Sequence, residues 1–238
     1  MKLGIIQTRG LGDIVIAAPI AMYYIERGCE VYWPIDSEFI EAFQYAFPKI
    51  NFLPINSHDT KKGTAEYFYE SPIKELNKVG CDTNICLYSH LTGFDLGNER
   101  LKNSLSFDAY KYALAKVPFN EKWNLKIKRN PIREGRIFEI LNLDPTEKFD
   151  LIHCTGSNFH VNPADFTTRN DIRKIVIEPL TSNPFDWLGV IENANALYFI
   201  DSIYSNLVEQ LNLKVEKSFY LRSDAIFTPC LRNHWKYI

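Results

Sequence analysis

The sequence predicts an α/β protein built from two doubly wound domains that face a cleft. Short apolar runs alternate along the chain with segments whose apolar residues have helical spacing. Strands of about five residues, each joined to the next through one crossover helix, are typical of parallel βαβ units. The rhythm breaks at a polar connection that contains prolines, and then restarts. We therefore predict an N-terminal domain over residues 1–128, a linker with a short helix over 129–148, and a C-terminal domain with a terminal tail over 149–238.

The composition is that of an ordinary globular protein and argues against several classes. Apolar residues make up 46% of the 238 positions, and a net charge of −2 gives no reason to expect a nucleic-acid partner. Five cysteines, an odd number without a CxxC pair, suit a reducing cytoplasm. The longest apolar run, Ile14–Ile25, is shorter than the ~20 residues that span a bilayer. We expect a cytoplasmic protein, and contact with the inner face of a membrane stays open.

The first half is predicted to hold alternating strands and helices. The strands are the apolar runs at residues 2–7, 30–33, 50–55 and 84–88. The helices are the segments with helical spacing at residues 14–25, 38–47, 72–79 and 106–116. Pro48 ends the second helix, and Ser71-Pro72 begins the third with proline at its first position. A further strand is expected over 123–127, where apolar and polar residues alternate.

The second half repeats the pattern in fewer residues. The short helix of the linker is predicted at 132–141, and strands are predicted at 149–154, 174–177, 196–200 and 217–221. Helices are predicted at 184–192 and 203–211, and a short helix at about 163–172. The C-terminal domain is therefore expected to be the smaller of the two.

A glycine-rich turn, Thr8-Arg9-Gly10-Leu11-Gly12-Asp13, joins the first strand to the first helix. Gly10 and Gly12 permit backbone angles closed to other residues, so the amides of the turn can approach a ligand closely. Open α/β sheets bind ligands at this edge. Asp13 has two interpretations, a cap of the helix or a carboxylate aimed into the cleft. The dinucleotide fingerprint is incomplete because its third glycine position is Val15, which makes a nicotinamide enzyme a weak prediction.

Other polar residues follow strands at the same predicted edge. His90 follows the strand at 84–88, which places it at the same edge of the sheet as Asp13 if the sheet is parallel, with a surface or capping histidine as the alternative. The turn Thr155-Gly156-Ser157-Asn158 follows the strand at 149–154 and offers amides and hydroxyls suited to phosphate, with an ordinary polar turn as the alternative. Arg9 is either a solvated loop residue or a cation that orients an anionic acceptor or phosphate.

The N-terminal residues resemble a known family. Leu3–Ile20 resembles the opening of the ADP-heptose–lipopolysaccharide heptosyltransferases and their relatives in glycosyltransferase family 9. These proteins begin with a strand, a turn that ends in Leu-Gly-Asp, and an apolar helix with a proline after small residues. Leu11-Gly12-Asp13 and Ala17-Ala18-Pro19 match that pattern as they stand.

The C-terminal half resembles the same family independently. Asp186–Leu213 is similar to the family's nucleotide-binding helix, strand and helix, and Asp201-Ser202 ends the strand before the helix that faces the diphosphate. Thr155-Gly156-Ser157 falls where the family has a Pro-Gly-Ala/Ser turn. The sequence departs from the pattern at two positions, since Ile203 and Asn206 stand where the family has glycine and histidine.

The resemblance implies the GT-B architecture, with two Rossmann-like domains that bind the acceptor and the nucleotide sugar respectively. It implies a hexosyl- or heptosyl-type glycosyltransferase of polysaccharide biosynthesis, which moves a sugar from a nucleotide-diphosphate sugar to a glycan or lipid-linked saccharide. No metal or other cofactor is expected. The sequence contains no Asp-x-Asp, the motif expected of the metal-dependent GT-A enzymes.

The resemblance also implies the site residues. Asp13 matches the family's general base, which takes the proton of the acceptor hydroxyl. The residues expected to bind the acceptor are Thr8, Arg9, Gly10, Gly12 and His90. The residues expected to bind the nucleotide sugar are Thr155, Gly156, Ser157, Asn158, Glu178, Asp201, Ser202 and Asn206. The alternatives are a non-catalytic module that binds a nucleotide or nucleotide sugar, which the two departures favour, and the nicotinamide enzyme.

Overall fold

The computed structural model describes residues 1–56, 64–88, 105–144, 146–156, 159–166, 171–221 and 228–238. It divides into two units, Met1–Lys128 and Arg129–Ile238. Each unit holds one parallel β-sheet with helices, which confirms the predicted α/β class with two parallel sheets. The bounds of the domains and of the linker stay predictions; the structure groups the helix of the expected linker with the second unit.

The first unit is built around a sheet of strand order β3-β2-β1-β4, in which all neighbouring strands are parallel. The strands are β1 (Lys2–Ile6), β2 (Glu30–Asp36), β3 (Asn51–Ile55) and β4 (Thr83–Cys86). The helices are α1 (Leu11–Ile25), α2 (Ile40–Ala46), α3 (Ser71–Lys78) and α4 (Phe107–Leu114). Because Ile6 of β1 pairs with Cys86 of β4, the turns after these two strands lie side by side.

The second unit has the strand order β6-β5-β7-β8-β9, again with parallel neighbours. The strands are β5 (Phe149–His153), β6 (Arg173–Val176), β7 (Ala196–Ile200), β8 (Glu216–Tyr220) and β9 (Lys236–Tyr237). The helices are α5 (Pro131–Ile140), α6 (Leu188–Asn193) and α7 (Ile203–Gln210). Strands β5 and β7 are buried along their whole lengths, as expected for central strands covered on both faces.

Strand β9 was not predicted, and a buried carboxylate explains its position. Glu209 of α7 is fully buried and accepts hydrogen bonds from the backbone N–H of Arg232 at 2.9 Å and from Trp235 Nε1 at 2.8 Å. The Trp235 ring packs edge-on against Phe219 of β8. These contacts tie the chain after residue 228 to the second unit and bring β9 to the edge of its sheet.

The strand expected over 123–127 was wrong. Phe119–Trp123 forms a 3-10 turn, in which the fully buried Lys122 pairs with Asp108 of α4. The alternation that suggested a strand comes from an extended segment that buries Leu125. This segment belongs to neither of the described sheets, and it is joined to the helix α2 by the hydrogen bond from the Lys128 N–H to the Ala46 carbonyl. Of the reduced helix expected over 163–172, the described part forms only a 3-10 turn at Pro163–Asp165.

Helix α1 is the most buried helix of the first unit. Every residue from Ile14 to Ala21 is buried, although Pro19 lies inside the helix. Within the described ranges, neither α1 nor any other helix combines the length and hydropathy needed to cross a bilayer.

Candidate functional site

The turn after β1 places Asp13 in the first turn of α1. Gly10 occupies the N-cap position with φ of 76°, in the left-handed region that favours glycine. Its carbonyl accepts the N–H of Ile14 at 3.0 Å, which begins the helix. Because Gly10 takes the cap position, Asp13 is the third helical residue rather than the cap, and the carboxylate interpretation of Asp13 remains.

The two oxygens of the Asp13 carboxylate have different surroundings. Oδ1 is buried and lies 3.1 Å from Lys111 Nζ, but without hydrogen-bond geometry, so Oδ1 accepts no hydrogen bond from any described group. Oδ2 lies against Gly10, where an added Cβ would come within 2.5 Å of it. The side chain is 28% exposed. Since Oδ1 is buried, the exposed side of the carboxylate is that of Oδ2.

Tyr88, which follows β4, holds the backbone of the same turn. Its hydroxyl accepts the N–H of Thr8 at 2.8 Å and the N–H of Arg9 at 3.1 Å, and it lies 3.1 Å from Thr8 Oγ1. Burial raises the pKa of the Tyr88 phenol far above its ordinary value, so the group stays neutral. Thr8 is fully buried, so its hydrogen bonds with Tyr88 support the turn and its side chain does not face solvent.

Arg9 is a buried cation with a partner inside the first unit. Its Nη1 donates to Asp36 Oδ1 at 2.6 Å and to Oδ2 at 2.5 Å, and its guanidinium lies 3.2 Å from the centre of the Tyr67 ring. Both members of the ion pair are about 8% exposed. The charge that we expected to orient an acceptor is therefore neutralised by Asp36, at the end of β2.

Two turns meet at the carboxyl edge of the second sheet. An added Cβ on Gly156, after β5, would lie 3.7 Å from the carbonyl oxygen of Asp201, after β7. The Gly156 N–H donates to the carbonyl of Phe159 at 2.7 Å, and Thr155 Oγ1 lies 3.1 Å from His160 Nδ1. The Gly156 amide and the Thr155 hydroxyl of the expected phosphate turn are thus already hydrogen-bonded to residues of the same segment.

The polar groups at the start of α7 are likewise hydrogen-bonded to one another. Ser202 Oγ accepts from the N–H of Tyr204 at 3.2 Å and of Ser205 at 3.5 Å. In return, Ser205 Oγ accepts from the Ser202 N–H at 3.0 Å, which completes a capping box. Two amides that would face an anion at this helix N-terminus are therefore already paired with a hydroxyl.

Asn206 and His153 lie buried behind these turns. Asn206 is 1% exposed; its Nδ2 donates to the Ser202 carbonyl at 2.8 Å, and its Oδ1 has no described partner. His153, the last residue of β5, packs edge-on against Tyr204 with ring centres 4.8 Å apart. Burial lowers the pKa of the His153 imidazole to about 4, so the ring is neutral at physiological pH.

The remaining predicted residues are distributed as follows. Gly12 lies in the first turn of α1, and Glu178 is exposed just beyond β6, the neighbour of β5. The described residues that the structure brings together are Thr8, Arg9, Gly10, Gly12 and Asp13 in the first unit, and Thr155, Gly156, Asp201, Ser202 and Asn206 in the second. His90, Ser157 and Asn158 lie outside the described residues. In the described part of the chain, no three His, Cys, Asp or Glu side chains are grouped to hold a metal ion.

Sequence reasoning missed Lys111 and Tyr88. Lys111 is 2% exposed although lysine is usually a surface residue. A signal was present, because Phe107, Lys111 and Leu114 share one face of a helix that is otherwise apolar there. A lysine inside such an apolar stripe indicates a buried cation that needs a partner.

No protein-family model matches the sequence, and no curated protein matches it. The fold resembles that of the glycosyl transferase family 9 protein from Veillonella parvula, with a TM-score of 0.64, 12% identity, and coverage of 100% of this chain and 85% of that one. It also resembles E. coli ADP-heptose lps heptosyltransferase II, with a TM-score of 0.58, 12% identity, and coverage of 100% and 90%. A third similar structure is that of E. coli heptosyltransferase WaaC with ADP-2-deoxy-2-fluoro heptose, with a TM-score of 0.54, 12% identity, and coverage of 100% and 93%. The chain therefore has the fold of glycosyltransferase family 9 structures.

Proposed function

We propose that the protein is a glycosyltransferase that moves a sugar from a nucleotide-diphosphate sugar to a hydroxyl of a glycan or lipid-linked saccharide. The carboxylate of Asp13 carries the proposal, because Oδ1 is buried beside Lys111 and Oδ2 is left accessible at the glycine turn. The shared fold supports it, since one protein with that fold, E. coli WaaC, was solved with ADP-2-deoxy-2-fluoro heptose.

In the proposed reaction Asp13 is the general base. The acceptor oxygen forms a bond to the anomeric carbon of the donor sugar, and the bond from that carbon to the phosphate oxygen breaks. The hydroxyl proton passes to Asp13 Oδ2, and the nucleoside diphosphate leaves with the electron pair. General-base assistance of this kind contributes about 10²- to 10⁴-fold to a rate.

The donor is assigned to the second unit, where hydroxyls and amides surround the ends of β5 and β7. Thr155, Ser202 and Asn206 supply polar groups there, and the proposal extends to Glu178 and Asp201 at the same edge. The Ser202 hydroxyl can turn to donate to a phosphate oxygen, which would free the amides that it now occupies. Such donors stabilise a leaving diphosphate without requiring a metal. The proposal keeps three residues that were predicted from the sequence: Ser157 and Asn158 for the donor, and His90 for the acceptor.

The test combines a panel of donors with one substitution. ADP-, UDP- and GDP-linked sugars are incubated with the protein, and the released nucleoside diphosphate is measured with and without a panel of oligosaccharides and lipid-linked saccharides. Asp13→Asn is expected to lower the acceptor-dependent release by about 10²- to 10⁴-fold. Glu70→Gln, at an exposed carboxylate of the same unit, should leave it unchanged.

Three outcomes would redirect the proposal. Full transfer activity in Asp13→Asn would remove the general base. Binding of a nucleotide sugar without turnover would favour the non-catalytic module. Binding of NAD, with no binding of any nucleotide sugar, would favour the nicotinamide enzyme.

A further inference from the structure

Lys111 of α4 is a buried ammonium held by oxygen atoms from three parts of the first unit. Its Nζ donates to Gln7 Oε1 at 2.7 Å and lies 3.5 Å from the Leu87 carbonyl oxygen. It lies 3.1 Å from Asp13 Oδ1 and 4.6 Å from the centre of the Phe107 ring. These contacts place a full positive charge directly behind the proposed base.

The ion pair with Asp13 explains how a lysine is accommodated at this buried position. A buried ammonium is unfavourable unless it is hydrogen-bonded and paired with an anion. Across the described ranges, Asp13 is the carboxylate that pairs with Lys111. The Lys111 side chain is 3% exposed, whereas the Asp13 side chain is 28% exposed. The lysine is thus the fixed member of the pair, and the carboxylate is the member with freedom to turn.

Gln7 connects this ammonium to the turn itself. Its Oε1 accepts from Lys111, and its Nε2 donates to the backbone carbonyl of Arg9 at 3.0 Å. One buried side chain therefore sets the position of the ammonium relative to the backbone that carries Asp13. Gln7 is 1% exposed, so water does not compete for these contacts.

We propose that Lys111 is a positioning residue for the general base Asp13, an inference that rests on the proposed function. The ammonium draws Oδ1 inward and so presents Oδ2, the accessible oxygen, to the acceptor hydroxyl. Lys111 itself touches neither donor nor acceptor. Without it, the carboxylate is free to rotate about its side-chain bonds, and the fraction of molecules with Oδ2 in place falls.

The test is a double-mutant cycle on acceptor-dependent release of nucleoside diphosphate. Lys111→Met, which keeps the apolar stem and removes the charge, is expected to lower kcat about tenfold to a hundredfold with KM for donor and acceptor changed less than about twofold. In the Asp13→Asn background the same substitution should change kcat less than about twofold, because the group through which it acts is gone. Lys111→Arg, which keeps the charge, should retain most of the activity.

Two controls separate this role from a contribution to folding. Lys111→Gln removes the charge while keeping a polar end, and it replaces Lys111→Met if the latter does not fold. Lys122→Met removes a second lysine that is buried among the described residues of this unit, and its partner Asp108 also lies on α4. It should lower the thermal midpoint while leaving kcat per folded molecule unchanged.

The outcomes distinguish the inference from the proposed function. Full kcat in folded Lys111→Met or Lys111→Gln would overturn the inference alone, and so would an equal loss in the wild-type and Asp13→Asn backgrounds. Full activity in Asp13→Asn would instead overturn the proposed function and the inference with it.

Discussion

The carboxyl edges of the two sheets are built on the same plan but differ in how their polar groups are used. At the first edge, a glycine turn leaves Asp13 with one buried oxygen and one accessible oxygen, and neighbouring elements hold its backbone. At the second edge, the hydroxyls of Thr155 and Ser202 bind groups within their own turns. Under the proposed function, the first edge would meet the acceptor without rearrangement, whereas the second edge would exchange hydrogen bonds when the donor binds.

The difference follows from the residues that begin the helices. Gly10 has no side chain that can cap α1, and the residue before it, Arg9, is held through its N–H by Tyr88 and through its carbonyl by Gln7. Ser202 caps α7 itself, and a serine in this position satisfies the first amides without help from the rest of the unit. At the first edge Thr8 and Arg9 are paired with Tyr88 and Asp36, and Asp13 takes no part in capping its helix. At the second edge the Ser202 hydroxyl is used in its own cap. Four experiments test this contrast.

The largest effect is expected for Gly10→Ala, which adds a methyl group to the turn between β1 and α1. The new Cβ would lie 2.5 Å from Asp13 Oδ2, in a backbone region that disfavours side chains. Displacement of the carboxylate should lower kcat on the order of 10³-fold, most of what a general base contributes. Gly28→Ala is the matched control, because φ of Gly28 is +83° but no described atom lies within 4 Å of its added Cβ. It should cost stability, about 1–2 kcal/mol, and leave kcat unchanged. Equal kcat in the two variants would contradict this explanation.

The second experiment measures how acid lowers stability through His153, the buried histidine of the second edge. The pKa of His153 is about 4 in the folded protein and about 6.5 in the unfolded chain. Between these values the unfolded chain binds a proton that the folded chain does not, so the free energy of unfolding falls as the pH falls. The loss should reach about 3 kcal/mol near pH 4 and be absent above pH 7. Urea unfolding at pH 7.5 and 4.5 should show this extra loss in the wild type and not in His153→Phe; identical pH slopes would refute it.

The third experiment removes the outside support of the first edge. Tyr88→Phe leaves the buried N–H groups of Thr8 and Arg9 without their shared acceptor, which should lower the free energy of unfolding by about 2 kcal/mol. It should also lower kcat, because the turn that carries Asp13 loosens. Tyr112→Phe is the control, since that hydroxyl donates to the carbonyl of Ile16, at 2.8 Å, and accepts from no backbone N–H among the described residues. A smaller loss of stability in Tyr88→Phe than in Tyr112→Phe would argue against the role given to Tyr88.

The smallest effect is expected for Ser202→Ala at the self-capped edge. Loss of the cap should lower the free energy of unfolding by about 1 kcal/mol, measured by thermal or urea unfolding. Ser71→Ala is the control, because Ser71 begins a helix that has no side-chain cap. If both variants are equally stable, the capping box does not stabilise the second edge.

The sequence was sufficient for the features that arise locally. Buried parallel strands are short apolar runs, so β1 and β7 were predicted to within a residue at each end. The glycine turn after β1 and the position of Asp13 in the first turn of α1 also follow from local signals, since a positive φ requires particular residues. Strand β9 could not be predicted in this way, because two residues carry no periodicity and Glu209 places them from more than twenty residues away.

The contacts that define the site were beyond sequence reasoning for the same reason. Lys111 reaches Asp13 from 98 positions along the chain, and Tyr88 reaches Thr8 from 80 positions away. The hydroxyls of Thr155 and Ser202 could equally bind a phosphate or their own turn, and composition does not distinguish the two. Only the folded geometry shows that each now binds within its turn.

The attachment of Glu209 to Arg232 and Trp235 also bears on the order in which the protein is made. The first unit uses only residues up to Lys128, so it can fold while the ribosome is still adding the second. The buried carboxylate of Glu209 gains its donors Arg232 and Trp235 only when the last residues of the second unit have been synthesised. Translation arrested before residue 232 would therefore leave the second unit without these contacts and without β9, whereas every residue of the first unit would already be present.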